Sequence, residues 1–244
     1  MSEQSGAGRV VWVTGAGSGM GRAAAVAAAD GGRRVALSGR RPDALESVAE
    51  DVRAAGGEAL VVPLDVTDVA AIDAAHARIA DAWGGVDDLV LSAGLNTPRR
   101  TWENQRIDDF RSIVATNLTA VAAVVQASIA DLRRARGTVV AISSVAGWAF
   151  KPGAGIAYAA SKTAVGALCR DLNVAEWPNG VRATHLCPGD VDTEFLSMRP
   201  EVPDAANREG MLSPDDVARA VLFALDSPAH VRIDELVITP THLR

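Results

Sequence analysis

Cysteine is scarce. Cys169 and Cys187 are the only two in 244 residues, too few for a disulfide framework or a cysteine-based zinc cluster. Aromatic residues make up 4% of the chain, with a single tyrosine, and only Lys151 and Lys162 among its 24 basic residues are lysine. Acidic residues outnumber basic ones by 30 to 24, for a net charge of −6. That balance excludes a general nucleic-acid binder, which needs a basic face to meet phosphates. His76, His185, His230 and His242 show no metal-ligand spacing, so no metal is expected and a place in solvent or core is the simpler reading. Both cysteines read as buried thiols and Lys151 as a surface residue. The opening Met1-Ser2-Glu3-Gln4-Ser5-Gly6 lacks the basic start and apolar run of a signal peptide. The alanine-rich runs are expected to stop short of the ~18 uncharged apolar residues that a bilayer span needs. A soluble, cytoplasmic protein with no membrane or nucleic-acid partner is the expectation.

The apolar share is 48% and the charged share 22%, the balance of a globule. No linker, repeat or charge block divides the chain, so residues 1–244 are read as one domain. Strand-like runs at Arg9–Val13, Arg34–Ser38, Leu60–Leu64, Asp88–Ser92, Thr138–Ile142, Val181–Leu186 and Glu235–Ile238 alternate with helical segments. The helices are Met20–Asp30, Pro42–Ala55, Asp68–Trp83, Asp108–Arg136, Ala157–Glu176 and Ser213–Leu225, several closed by glycine. Near-continuously apolar strands alternating with helices predict an α/β fold, a doubly wound (Rossmann-type) parallel sheet of about seven strands. Ligands then bind at the carboxyl ends of the strands. The irregular stretch 192–210 has the length of a substrate lid.

A glycine-rich turn, Thr14-Gly15-Ala16-Gly17-Ser18-Gly19-Met20-Gly21, joins the first strand to the first helix. Glycines let backbone approach a pyrophosphate, which then sits at the helix N-terminus. The second strand ends in Ser38-Gly39-Arg40-Arg41, with no acid placed to hold a ribose 2′-hydroxyl. Arg40 offers instead a planar cation suited to a 2′-phosphate, which points to NADP over NAD; a solvated arginine pair is the other reading. Asp65, followed by Val66, can accept from an adenine amino group or cap the next helix together with Asp68.

Tyr158 and Lys162 are four residues apart on a helix and therefore share a face. An ammonium near a phenol favours the phenolate and draws its pKa down from about 10. Upstream, Ser143-Ser144 ends the fifth strand and brings a hydroxyl to the same strand-end crevice; strand alternation lets only one of the two point inward.

With Asn117, these segments resemble the short-chain dehydrogenase/reductase family over about Arg9 to Val191, where Cys187-Pro188-Gly189-Asp190-Val191-Asp192-Thr193 is similar to the family's segment after the sixth strand. The resemblance implies an NAD(P)(H)-dependent oxidoreductase interconverting a secondary alcohol and a ketone or aldehyde. It implies Tyr158 as general acid and base, and Lys162 lowering its pKa and contacting the nicotinamide ribose. Ser144 would bond the substrate oxygen, and Asn117 would support a water linked to Lys162. Ala93-Gly94, Pro188, Gly189, Val191 and Thr193 would border the cofactor, and a homodimer or homotetramer would form on the long helices. Leu91-Ser92 stands where the family has Asn-Asn, which is read as a packing change. Trp148, Phe150, Leu95, Phe195 and Met198 either line an apolar pocket or pack loop bases. Two further readings are a 3-oxoacyl-carrier-protein reductase, for which Arg99-Arg100 and Arg106 are the only local basic candidates, and a non-catalytic NADP(H)-sensing protein.

Overall fold

A computed structural model describes residues 8–241; the N-terminal residues Met1–Gly6 and His242 considered above lie outside them. Seven parallel strands form one sheet in the order β3-β2-β1-β4-β5-β6-β7. They are β1 (Val10–Thr14), β2 (Arg34–Ser38), β3 (Glu58–Val61), β4 (Asp88–Leu91), β5 (Thr138–Ile142), β6 (Arg182–Pro188) and β7 (Glu235–Ile238). This is the doubly wound architecture expected from the alternation, and the order reverses between β1 and β4, where a crevice opens. Strand β3 begins two residues earlier than its apolar run and stops before Pro63, which has no amide to give a ladder.

Helices α1 (Gly19–Asp30), α2 (Pro42–Ala54) and α9 (Pro214–Leu225) cover one face of the sheet, and α3 (Val69–Trp83), α5 (Ala120–Ala135) and α7 (Ile156–Glu176) the other. The core is thus two apolar layers divided by the sheet. Trp12 is fully buried within it, and its indole N–H donates to Ser38 Oγ (2.8 Å), which donates in turn to Val62 O (2.8 Å). That relay satisfies a ring N–H that burial would otherwise leave unpaired. Leu91 is 2% exposed and packs in the α3–α5 layer.

The segment read as one long helix is continuous from Ile107 to Ala135. It is α4 (Ile107–Val114), a π-helical turn at Ala115–Thr119, then α5. Contrary to the expectation from its alanines, this helix is long and apolar enough to cross a membrane by length and composition alone. Here its inner face packs on the sheet through Val121, Val124, Val125 and Leu132. Two short helices not foreseen are α6 (Val145–Trp148) and α8 (Ala205–Arg208). At four residues each, they are too short to show a period.

Candidate active site

Two cavities open at the carboxyl end of the sheet. The larger, about 770 Å³, runs over the glycine turn and is lined by Gly15, Gly17, Ser18, Gly19, Met20, Arg40, Asp65, Val66, Ala93, Gly94, Lys162 and Thr193 among others. The smaller, about 380 Å³, lies between the loop after β5 and the 192–210 segment; Ser144, Pro188, Gly189 and Val191 are in its wall. Ser143, Tyr158, Met20, Thr193 and Phe195 line both. Tyr158 therefore stands at their junction.

The floor of the larger cleft is bare backbone for a steric reason. Gly15 has φ +64°, and a Cβ there would lie 2.7 Å from Ala93 N. A Cβ on Gly21 would fall 2.2 Å from Gly15 O, so Gly21 lets α1 seat against the turn and does not itself face the cleft. At the start of α1, Ser18 makes no side-chain cap and no acid occupies the first turn. The first amides of the helix are left to meet an anion. Thr14 departs from expectation: it is buried, and its side chain looks into a small apolar gap beside Leu91 and Val124 instead of the cleft. The alternation of β1 accounts for this, because Val13 and Thr14 must face opposite sides.

Arg40 is exposed at the cleft edge, and the neighbouring Arg41 lies 3.8 Å from Glu194. Asp65 accepts from Thr67 N (2.9 Å) and Thr67 Oγ1 (2.8 Å), which hold its carboxyl below the usual range. It caps its own turn, while Asp68 caps α3 through Ala71 N.

Helix α7 starts at Ile156, after Gly155 at φ +101°, and so places Tyr158 in its first turn and Lys162 one turn on. Lys162 is 5% exposed and donates to Ile142 O at 2.9 Å. Its ammonium lies 5.8 Å from the centre of the Tyr158 ring. Burial pushes Lys162 down to about 8. Tyr158 is pushed up, not down: desolvation dominates, partly offset by the Ser144 hydroxyl and by the charges of Arg100 and Arg199. The expected lowering by Lys162 is therefore corrected. In this structure the amine is held back by a main-chain carbonyl, and the cations acting on the phenol come from loops.

Of the two serines, Ser144 faces the smaller cavity and accepts from Ala146 N at the start of α6 (3.1 Å). Ser143 is buried and donates to Lys162 O (3.2 Å). Asn117 sits in the π-helical turn, fully buried. Its Oδ1 accepts from Leu95 N (2.7 Å), and its Nδ2 donates to Leu95 O (3.0 Å) and Ser161 Oγ (3.1 Å). It lines neither cavity but ties the loop after β4 to α7. A π turn changes side-chain phase inside a helix, which brings this amide to the sheet.

The apolar candidates divide. Phe195 stands 6.0 Å from the Tyr158 ring and lines both cavities, and Leu95 and Met198 line the larger. Trp148 and Phe150 line neither and are exposed. Of the 192–210 segment, Thr193, Phe195, Leu196, Arg199, Pro200 and Glu201 wall the smaller cavity. Of the basic residues considered for an acidic carrier, Arg99 pairs with Asp109 through two bonds (2.7 and 2.8 Å), Arg100 turns inward to the smaller cavity, and Arg106 is exposed.

His185 escaped the reading by spacing. From β6 it reaches Lys162 O (3.3 Å), Glu235 of β7 (3.2 Å) and Cys187 Sγ (3.4 Å). Gly166 admits the ring, since a Cβ there would lie 2.8 Å from it. The ligating atoms of His185, Cys187 and Glu235 lie within 4.8 Å of one another. No local motif signals this, because Glu235 arrives from the neighbouring strand.

A model of the short chain dehydrogenase family matches residues 9–202. The chain belongs to that family. It is 36% identical over 240 residues to glycine betaine reductase of Emericella nidulans, covering 96% of this chain and 19% of that much longer protein. To an uncharacterised oxidoreductase of Staphylococcus aureus it is 32% identical over 233 residues, 95% of this chain and 97% of the relative. Among solved structures, an alcohol dehydrogenase of Thermococcus sibiricus complexed with 5-hydroxy-NADP superposes with TM-score 0.87 at 31% identity, over 97% and 98% of the two chains. A serine dehydrogenase complexed with NADP+ gives TM-score 0.86 at 28% identity, over 96% and 98%. In this short-chain dehydrogenase the glycine turn, Ser144, Tyr158 and Lys162 line the two strand-end cavities, while Asn117 ties the loop after β4 to α7.

Proposed function

We propose that this short-chain dehydrogenase interconverts a secondary alcohol and a ketone or aldehyde with a nicotinamide dinucleotide, NADP(H) in preference to NAD(H). The observation that carries this is Tyr158 at the junction of two cavities, one floored by glycine backbone and one holding Ser144. Gly15, Gly17, Gly19 and the first amides of α1 would hold the pyrophosphate. Arg40 would meet a 2′-phosphate, and Asp65 and Val66 would border the adenine. Lys162 would reach the ribose from the cleft floor. When bound, the nicotinamide supplies or accepts the hydride.

The remaining steps belong to the chain. Ser144 donates to the substrate oxygen and fixes its place beside the Tyr158 hydroxyl. In reduction Tyr158 gives its proton to that oxygen; in oxidation its phenolate takes the proton back. Phe195 and the 192–210 segment exclude water from the junction. The relatives complexed with NADP-type cofactors support the cofactor choice, and the absence of an acid at Arg40 supports it independently.

Loss of NADPH absorbance across a panel of ketones tests the reading, with wild type and Tyr158→Phe compared. Removing the acid is expected to lower kcat/KM by roughly 10²–10⁴-fold while NADPH affinity stays unchanged. Undiminished turnover in Tyr158→Phe overturns the assignment. NADPH binding without turnover on any carbonyl favours the sensing role instead.

A further inference from the structure

Around the smaller cavity the charges do not cancel. Arg100, Lys151 and Arg199 contribute three cations, while among the described residues Asp190 and the exposed Glu201 are the only carboxylates in the wall. Asp190 is already shared: it accepts from Lys151 Nζ at 2.6 Å and from Arg199 at 2.7 Å, which hold it below the usual carboxylate range.

Among the described residues Arg100 has no carboxylate partner. Its Nε donates to Thr97 O (2.8 Å), one terminal nitrogen to Gly153 O (3.2 Å) and the other to Met198 O (2.8 Å). Three neutral carbonyls thus fix the guanidinium without neutralising it. A guanidinium has five N–H donors, so both terminal nitrogens keep one free. The setting is built for this residue. A Cβ on Gly155 would lie 3.2 Å from Arg100 Cγ, and Asn96 closes the neighbouring loop by donating to Ala154 O (3.1 Å). Half-burying an arginine without a counter-ion costs free energy that an incoming anion recovers. In a chain of net charge −6, a cationic cavity of about 380 Å³ beside the proton donor is not a general surface property.

We propose that Arg100 is a specificity-determining residue that receives an anionic group on the substrate, making the substrate a small oxo or hydroxy carboxylic acid. The inference rests on the oxidoreductase reading above and narrows it. A carboxylate matches the planar fork of a guanidinium, and the cavity has room for a short chain between that carboxylate and the Ser144–Tyr158 pair. One consequence follows for the proton donor. Arg100 favours the phenolate of Tyr158, so a carboxylate neutralising Arg100 keeps the phenol protonated. The acid substrate itself then biases the site toward reduction.

The test compares C4–C6 oxo carboxylic acids with their methyl esters, with NADPH, in wild type, Arg100→Met and Arg100→Lys. In wild type the free acid is expected to exceed the ester in kcat/KM by roughly 10–100-fold, the discrimination of one charge-assisted contact. The ratio is expected to collapse toward one in Arg100→Met and to recover in part in Arg100→Lys. A wild-type ratio at or below one overturns the inference while leaving the oxidoreductase reading intact. So does a ratio unchanged in Arg100→Met. Should Arg100→Met fail to fold, the wild-type ratio and Arg100→Lys decide. Should no carbonyl be turned over, the oxidoreductase reading fails first. Thermal stabilisation of the NADPH-loaded wild type by butanoate but not butanamide then decides the inference, equal effects refuting it.

Discussion

Tyr158 and Lys162 are displaced by burial in opposite directions, the phenol upward and the amine down to about 8. At neutral pH the first is therefore protonated and the second charged, the pairing that the proposed proton donor and ribose contact require. The sign of the pH dependence follows. Oxidation needs the phenolate and is expected to rise with pH through the neutral range. Reduction needs the phenol and the charged amine, and kcat/KM is expected to hold below about pH 8 and to fall above it. Rate measurements in both directions from pH 6 to 10 check this; a reduction rate still level at pH 10 would contradict it. The residues that the sequence made legible are those a single turn of chain brings together, such as Gly15 with Gly19, or Tyr158 with Lys162. Arg100, Lys151 and the Asp190–Arg199 pair come from the segments after β4, β5 and β6 respectively. Their meeting depends on strand order, which no local pattern carries.

At the scale of elements, the alternation of strands and helices was readable because each period repeats over several residues. The π turn at Ala115–Thr119, the four-residue helices and the start of β3 were not, being set by tertiary packing. One joint lies away from the site. Arg133 near the end of α5 grips Glu176 at the end of α7 through two bonds (2.8 and 2.6 Å), and Asn179 adds a third (2.8 Å). The guanidinium, chiefly, holds Glu176 down to about 2, against an ordinary 4.5. A depressed carboxyl contributes stability that is complete above its unfolded pKa and is lost as pH falls through the folded one. Glu176→Gln is therefore expected to lower Tm by roughly 2–4 °C at pH 7, an effect of ~1 kcal/mol in a chain this size. The gap should narrow below pH 4.5 and close near pH 2. Thermal melts at pH 7, 4 and 2.5 measure it, and a gap independent of pH would show that the pair does not act through its charge.

For the whole molecule, the outward faces of α5 and α7 are notable for small side chains. Ala122 and Ala130 are exposed on the first, and Ala160, Thr163 and Ala167 on the second. Val174 and Trp177 extend that exposure at 72% and 68%. We propose that a second copy of the chain covers these helices in a homodimer or homotetramer, because small residues let helix backbones approach closely. Light scattering is expected to return a multiple of the 25.3 kDa chain mass. Ala167→Glu should shift it to the monomer, and a wild-type monomer would rule the arrangement out.

Met20, Thr193, Phe195 and Tyr158 serve as wall to both cavities at once. Whatever settles in the long groove completes one side of the short one, so neither chamber has its final shape alone. Turnover should accordingly follow a compulsory order, dinucleotide entering first and leaving last. Product inhibition would then be competitive only between the two oxidation states of the coenzyme.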